Sequence, residues 1–327
     1  MNYKTIDIHC HSPLIEALTS PTLLSEFGLL QKIALRFYLR ALKIKPDKNP
    51  RKILGRLKAK FINLINESKI DHFVVLALDG VYSKDGELLK RGNHFYTSNE
   101  SVYELAEKNR KIIAGPSINP MRKDAFEELE KAHDKKAALI KIHPCIQLFD
   151  PASPKYRKFF ATAAKYKIPV LIHIGQEYAL PGIRKEMNYS RLEKLAPLLE
   201  TGCKVIAAHG CGYSILNERK DFNKVLELLR KYKNFYLDNS ALSTGHRKKR
   251  AFSIINDTLA LERTVFGTDF PVCPSAEAFV TNLGLKKVSV LKEINNPLNR
   301  DLEIKKAIGF PPETFSRGYE VINSNVF

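Results

Sequence analysis

No stretch of the 327 residues approaches the roughly 18 consecutive apolar positions that a membrane helix needs, so no membrane span is expected. Cysteine is scarce: Cys10, Cys145, Cys203, Cys211 and Cys273 are odd in number, and none forms a Cys-x-x-Cys pair. A disulfide scaffold is therefore excluded, and a reducing compartment, the cytoplasm, is expected. With only 16 Gly and 17 Pro, no low-complexity linker and no repeat, the chain is neither collagen-like nor disordered. Residues 1–7 lead straight into a strand-like pattern, so no secretory leader is expected.

The chain does have an ordinary globular balance, 44% hydrophobic and 27% charged, with a surplus of cations. Lys and Arg number 53 against 35 Asp and Glu, for a net charge of +18. The surplus is concentrated, because Lys32–Lys60 holds eleven cations and one acid, Asp47. Such a charge raises a nucleic-acid partner as an alternative, and Arg36-Phe37-Tyr38-Leu39-Arg40 interleaves cations with aromatics. The same pattern suits an amphipathic helix with solvated cations, so nucleic acid is the minor reading.

Eight short β-branched runs read as strands: Thr5–His9, His72–Leu78, Ile112–Ile118, Ala138–His143, Pro169–Ile174, Lys204–His209, Phe235–Asn239 and Thr264–Thr268. Helical patterns lie between them, at Ser101–Asn109, Lys123–His133, Pro154–Tyr166, Ser190–Glu200, Asn217–Tyr232 and Arg247–Leu261, with Ser153 and Asn217 as cap-like residues. Eight βα units predict a single (β/α)8 TIM barrel over 1–327. A doubly wound sheet would more often carry a Gly-rich loop after its first strand, where this chain has Cys10-His11-Ser12-Pro13. The first gap is too long and predicts a basic helical insertion, about 22–65. Its Ile33, Leu35, Phe37, Leu39, Leu42, Ile53, Leu57 and Phe61 would pin two helices as a cap over the barrel mouth. Arg36, Arg40 and Lys43 there would steer an anionic substrate. A helical C-terminal tail is expected over about 283–327.

Polar clusters fall where predicted strands end: Asp7-Ile8-His9-Cys10-His11, Lys141-Ile142-His143, His173-Ile174-Gly175, His209-Gly210 and Gly267-Thr268-Asp269. Alternation points His9 and His11 the same way, a compact ligand pair that a third His and a carboxylate would complete. Each feature alone has a plainer reading. A lone His-x-His seldom binds metal, His173 and His209 could be hydrogen-bonded mouth histidines, and Asp269 could cap a helix. His72 opens a strand at the opposite end and is read as structural. Their coincidence at one end of the barrel favours a site.

Ile6-Asp7-Ile8-His9-Cys10-His11, Ile140-Lys141-Ile142-His143-Pro144, Pro169–Gly175, Ala208-His209-Gly210 and Phe266-Gly267-Thr268-Asp269-Phe270-Pro271 together resemble the amidohydrolase superfamily, its amidohydrolase-2 group of metal-dependent hydrolases and decarboxylases. The tail, Gly309–Arg317, departs from that group's closing-helix pattern. The resemblance implies metal ligands His9, His11, His173 and Asp269, with Asp269 and His209 catalytic. It implies one divalent ion, zinc before manganese or iron, and a second metal is less favoured. Lys141 and His143 would bind substrate; some relatives carboxylate a lysine at this strand to bridge two metals. The expected function is hydrolysis of a small, anionic organic substrate by a metal-activated water. The alternative is non-oxidative decarboxylation at the same site, with Lys141, Arg184 or Arg247 seating the carboxylate. A homodimer stays open.

Overall fold

The computed structural model describes residues 4–13, 39–40, 42–45, 47, 49–89, 93, 95–175, 186–212 and 218–326. Among the described residues, eight strands run in chain order: β1 (Ile6–His11), β2 (His72–Leu76), β3 (Ile112–Gly115), β4 (Ile140–Ile142), β5 (Val170–Ile172), β6 (Val205–Ala207), β7 (Phe235–Asp238) and β8 (Thr264–Val265). All pair in parallel, as β1-β2-β3 and β4-β5-β6-β7-β8. Backbone bonds continue across both seams. Ile8 N donates to Phe266 O (2.9 Å) and His11 N to Phe270 O (2.8 Å), while Ala138 N donates to Ala114 O (3.0 Å) and Lys141 N to Pro116 O (2.8 Å). The result is the expected α/β barrel.

The longer helices are α1 (Pro50–Asn66), α2 (Asn99–Lys108), α3 (Ala125–Asp134), α4 (Arg157–Lys165), α5 (Glu218–Lys231), α6 (Lys248–Ile255), α7 (Val280–Lys292) and α8 (Pro297–Ile308). Side-chain capping explains the starts of α1 and α8. Asn49 accepts from Arg51 N at 3.0 Å ahead of Pro50, and Asn296 accepts from Leu298 N at 3.0 Å ahead of Pro297. Two expected helices are broken. Ser190–Glu200 splits because Pro197 fits only a helix's first turn, and Arg247–Leu261 splits because Asp257 caps a new helix at Ala260 N (2.9 Å). Ser153 makes no side-chain cap bond, and Asn217 lies outside the described residues.

Apolar side chains form two layers. Ile6, Ile8, Val74, Leu76, Ile113, Leu171, Ile206 and Val265 cluster apart from the larger core between strands and helices, and fill the ring. Val321 and Ile322 of the tail join that inner cluster; Asn323 N bonds Ala138 O (2.8 Å) and Tyr319 OH bonds His72 Nδ1 (2.6 Å). His72 is thus a structural contact to the tail, which is helical as expected.

The long first connection needs correction. Residues 22–38, 41, 46 and 48 of the expected insertion, with Ile33, Leu35, Arg36 and Phe37, lie outside the described residues. Ile53, Leu57 and Phe61 do not belong to a cap. They are on α1, which takes its place in the outer ring between α2 and α8: Lys58 reaches Glu104 at 3.3 Å, and Asn296 bonds Leu64 O at 2.8 Å. Leu57 and Phe61 are buried because they face the strands, and the Phe61 ring stacks on Phe270 at 5.5 Å. Arg40 and Lys43 are exposed. Among the described residues no helix is long and apolar enough to cross a membrane. Phe61→Ala should lower stability by about 3–5 kcal/mol, the usual cost of emptying a buried aromatic site, measured by urea unfolding.

Candidate metal centre

The site begins with an irregularity in β1. Asp7 pairs with Phe73 and Cys10 with Val75, so three steps on β1 oppose two on β2. This bulge resets the alternation. Ile6 and Ile8 fill the barrel interior, yet His9 and His11 still reach the mouth above them. Asp7, freed from that face, accepts from His9 N (2.9 Å), Thr268 N (3.0 Å) and Thr268 Oγ1 (2.6 Å), which staples β1 to the segment carrying Asp269. Burial raises its carboxyl to about 6, against those hydrogen bonds. Gly267 leaves the space His9 occupies, since a Cβ there would stand 2.6 Å from His9 Cβ. Asp269 and His209 both adopt left-handed backbone, φ 63° and 59°, rare for residues with side chains and typical of functional turns.

His9 Nε2 lies 3.1 Å from His11 Nε2 and 3.3 Å from Asp269 Oδ1, and His11 Nε2 is 3.7 Å from the same oxygen. Behind His9, Nδ1 is 2.7 Å from Asp238 Oδ2. Burial alone would raise the Asp238 carboxyl, but His9, the Ser240 hydroxyl and His209 N–H bring it down to about 2. An ionised Asp238 can only accept, so the proton sits on Nδ1 and Nε2 faces the cluster. Asp238 also accepts from His209 N (2.8 Å), Ser240 N (2.9 Å) and Ser240 Oγ.

The remaining expected residues surround this group. Lys141 Nζ, almost fully buried, is 3.2 Å from His9 Nε2. His209 Nδ1 stands 3.8 Å from Asp269 Oδ2 and 2.8 Å from Ser240 Oγ; its Nε2 is 3.2 Å from His173 Nδ1. His173 stacks on His143, centroids 3.9 Å apart, and His143 N donates to the Gln147 side chain at 2.6 Å. The convergent donors are thus His9, His11 and Asp269, while His173 adjoins them through His209. Asp269 is not a helix cap. Arg184 lies outside the described residues. Asp238, the carboxylate the sequence reading did not single out, sits at the end of a predicted strand, in Tyr236-Leu237-Asp238-Asn239, and that position was its signal.

Burial holds His11, His173 and His209 well below the usual imidazole range, helped by the charge of Lys141 on all three and of Arg247 on His173 and His209. Burial also raises the Asp269 carboxyl, against the pull of His9, Arg247 and Lys141. Neutral imidazoles and a carboxylate form the donor set of zinc-like ions. Tetrahedral ligands about 2.1 Å from one cation stand about 3.4 Å apart, and the three spacings here bracket that value. The residues therefore fit a divalent ion. A cavity of about 250 Å³ opens over His11, His143 and Asp269, with Leu76, Leu78, Phe95, Ile146 and Val272 as an apolar wall.

An α/β barrel with a histidine–carboxylate cluster beyond its strand ends has the architecture of a barrel enzyme. The chain belongs to the amidohydrolase family, whose model, described as Amidohydrolase, matches residues 73–293. Members of this family are metal-dependent hydrolases or decarboxylases. His9, His11 and α8 lie outside the matched span. A search of curated proteins returns no match. Among solved structures, the chain is similar to an uncharacterized TIM-barrel protein from Bordetella bronchiseptica (17% identity, TM-score 0.57, 93% of this chain and 99% of that one). It is similar also to 5-carboxyvanillate decarboxylase from Sphingomonas paucimobilis (13%, 0.54, 96% and 99%). A third is a Pseudomonas putida protein described provisionally as a 2-pyrone-4,6-dicarboxylic acid hydrolase (11%, 0.53, 97% of each). At these identities the likeness concerns the fold.

Gly267→Ala should push His9 aside, because the added methyl meets His9 Cβ at 2.6 Å. We expect a stability loss of about 1–3 kcal/mol from overpacking, read by urea unfolding, together with weakened zinc binding, read by competition with a chelator.

Proposed function

We propose that this protein is a metal-dependent hydrolase of small organic substrates bearing an anionic group. The observation that carries the reading is the convergence of His9 Nε2, His11 Nε2 and Asp269 Oδ1 on one point beside the cavity. In this reading His9, His11, His173 and Asp269 hold one divalent ion, zinc before manganese or iron. When bound, the ion supplies a Lewis acid that brings water's pKa to about 7. Asp269 takes the water's proton, a task its burial-raised basicity suits. His209, neutral and held by Ser240, stands beside the cluster and steadies the water. His143 and Lys141 orient the anionic group, and the apolar wall takes the substrate's body and excludes water. A soluble, cytoplasmic setting is part of the proposal, supported by five cysteines of which none forms a Cys-x-x-Cys pair.

Decarboxylation is the second reading, and a specific feature supports it. Lys141 is a buried amine beside the cluster, and the charge of Arg247 bears on His173, His209 and Asp269. Such cations can seat a carboxylate while its bond to carbon breaks. A named decarboxylase with the same fold adds to its weight. Trapping labelled CO₂ from a panel of carboxylic acids separates the two readings.

Protein purified without added metal should carry close to one divalent ion per chain by mass spectrometry. Adding zinc to chelated protein should raise the melting temperature; a hundredfold excess over Kd contributes about 2.7 kcal/mol. His9→Ala and Asp269→Ala should lose that increase. His209→Ala should keep it and lose turnover at least about a hundredfold, in line with removal of a group that positions the water. Full activity in His9→Ala or Asp269→Ala would refute the assignment.

A further inference from the structure

The tail helix α8 carries a charged pair where a barrel exterior would ordinarily pack apolar side chains. Lys305 is fully buried, and its Nζ donates to Asp301 Oδ2 (2.6 Å), one helical turn away, and to Gly267 O (2.6 Å). The other Asp301 oxygen accepts from Ser243 Oγ at 2.5 Å. Two buried charges on one helix are a poor source of stability, because their desolvation cancels most of their attraction. Leu298, Leu302 and Ile304 on the same helix show that apolar residues fit this layer.

What the pair touches suggests another role. Gly267 abuts His9 and lies two residues before Asp269, so Lys305 holds the carbonyl of the segment that sets both groups. Ser243 follows Ser240 by three residues through a tight turn, with Ala241 at φ 54° and Leu242 N bonded to Asn239 O (3.2 Å). Ser240 is the residue that holds His209 Nδ1. One ion pair therefore ties together the two loops that position Asp269 and His209. Both its members lie beyond the 73–293 span of the family match.

We infer that Asp301 and Lys305 are positioning residues of the active centre, so that the tail sets the geometry of Asp269 and His209. As it bears on metal binding, the inference rests on the proposed metal centre. The test compares the full-length chain with Asp301→Leu/Lys305→Met, which replaces both charges at similar volume. A single Lys305→Met, leaving Asp301 buried alone, should lower the melting temperature by about 10 °C or fail to fold. The double variant should fold and melt within about 4 °C of the unaltered chain. Its zinc affinity, measured by chelator competition, should nevertheless fall about 10- to 100-fold, as when a partner behind a ligand is lost. In metal-free protein, the His209 imidazole ¹⁵N resonances, assigned with His209→Gln, should shift in the double variant. Unchanged zinc affinity with unshifted His209 resonances would overturn the inference. If the unaltered chain binds no zinc, the proposed function fails, and the His209 resonances alone decide this inference.

Discussion

The bond between Asp238 and His9 is the contact on which the rest of the centre depends. One buried carboxylate accepts from the His9 ring, from His209 N and from both donors of Ser240. It thereby fixes which His9 nitrogen faces the cavity, and it fixes the left-handed turn that carries His209. A ligand whose tautomer is set in advance presents its lone pair at no further ordering cost, which is the usual role of a carboxylate behind a metal-binding histidine. Everything else in the mouth is arranged around a His9 that cannot turn.

Desolvation supplies the second constraint. His11, His173 and His209 stand in a largely buried layer above Ile6, Ile8, Leu171 and Ile206, with Lys141 and Arg247 close by, and burial favours their neutral form. Neutral imidazoles can ligate a cation, whereas imidazolium cannot. The same burial makes Asp269 a better proton acceptor than an exposed aspartate. A fold that only had to be stable would fill this layer with more aliphatic side chains. The polar layer, the bulge of β1 and the strained turns at His209 and Asp269 are instead concentrated at one end.

Much of this was legible in the sequence. Buried parallel strands are runs of Val, Ile and Leu, so all eight could be located, and their ends marked His9, His11, Lys141, His143, His173, His209 and Asp269 as neighbours. The rest was hidden for identifiable reasons. Alternation alone explains why His9 and His11 agree, but not how Ile6 and Ile8 can lie inside as well; that takes a bulge, which leaves no residue signature here. Asp238 looked like an ordinary strand end, because its importance comes from a bond to a residue 229 positions away. Lys305 and Asp301 look like a solvated i,i+4 pair on a tail helix, and only the packing of α8 reveals them as buried. The basic run after β1 divided unexpectedly because α1 is both cationic and part of the outer ring.

The central claim is that nitrogen and oxygen donors of His9, His11 and Asp269, completed by His173, hold one divalent ion in front of Asp238. X-ray absorption at the zinc edge of the zinc-loaded protein tests it most directly. The account predicts a shell of N and O scatterers at about 2.0–2.1 Å with imidazole outer-shell features, and no sulfur. A sulfur scatterer at about 2.3 Å would place the ion on a cysteine such as Cys145 or Cys211, and would contradict the account.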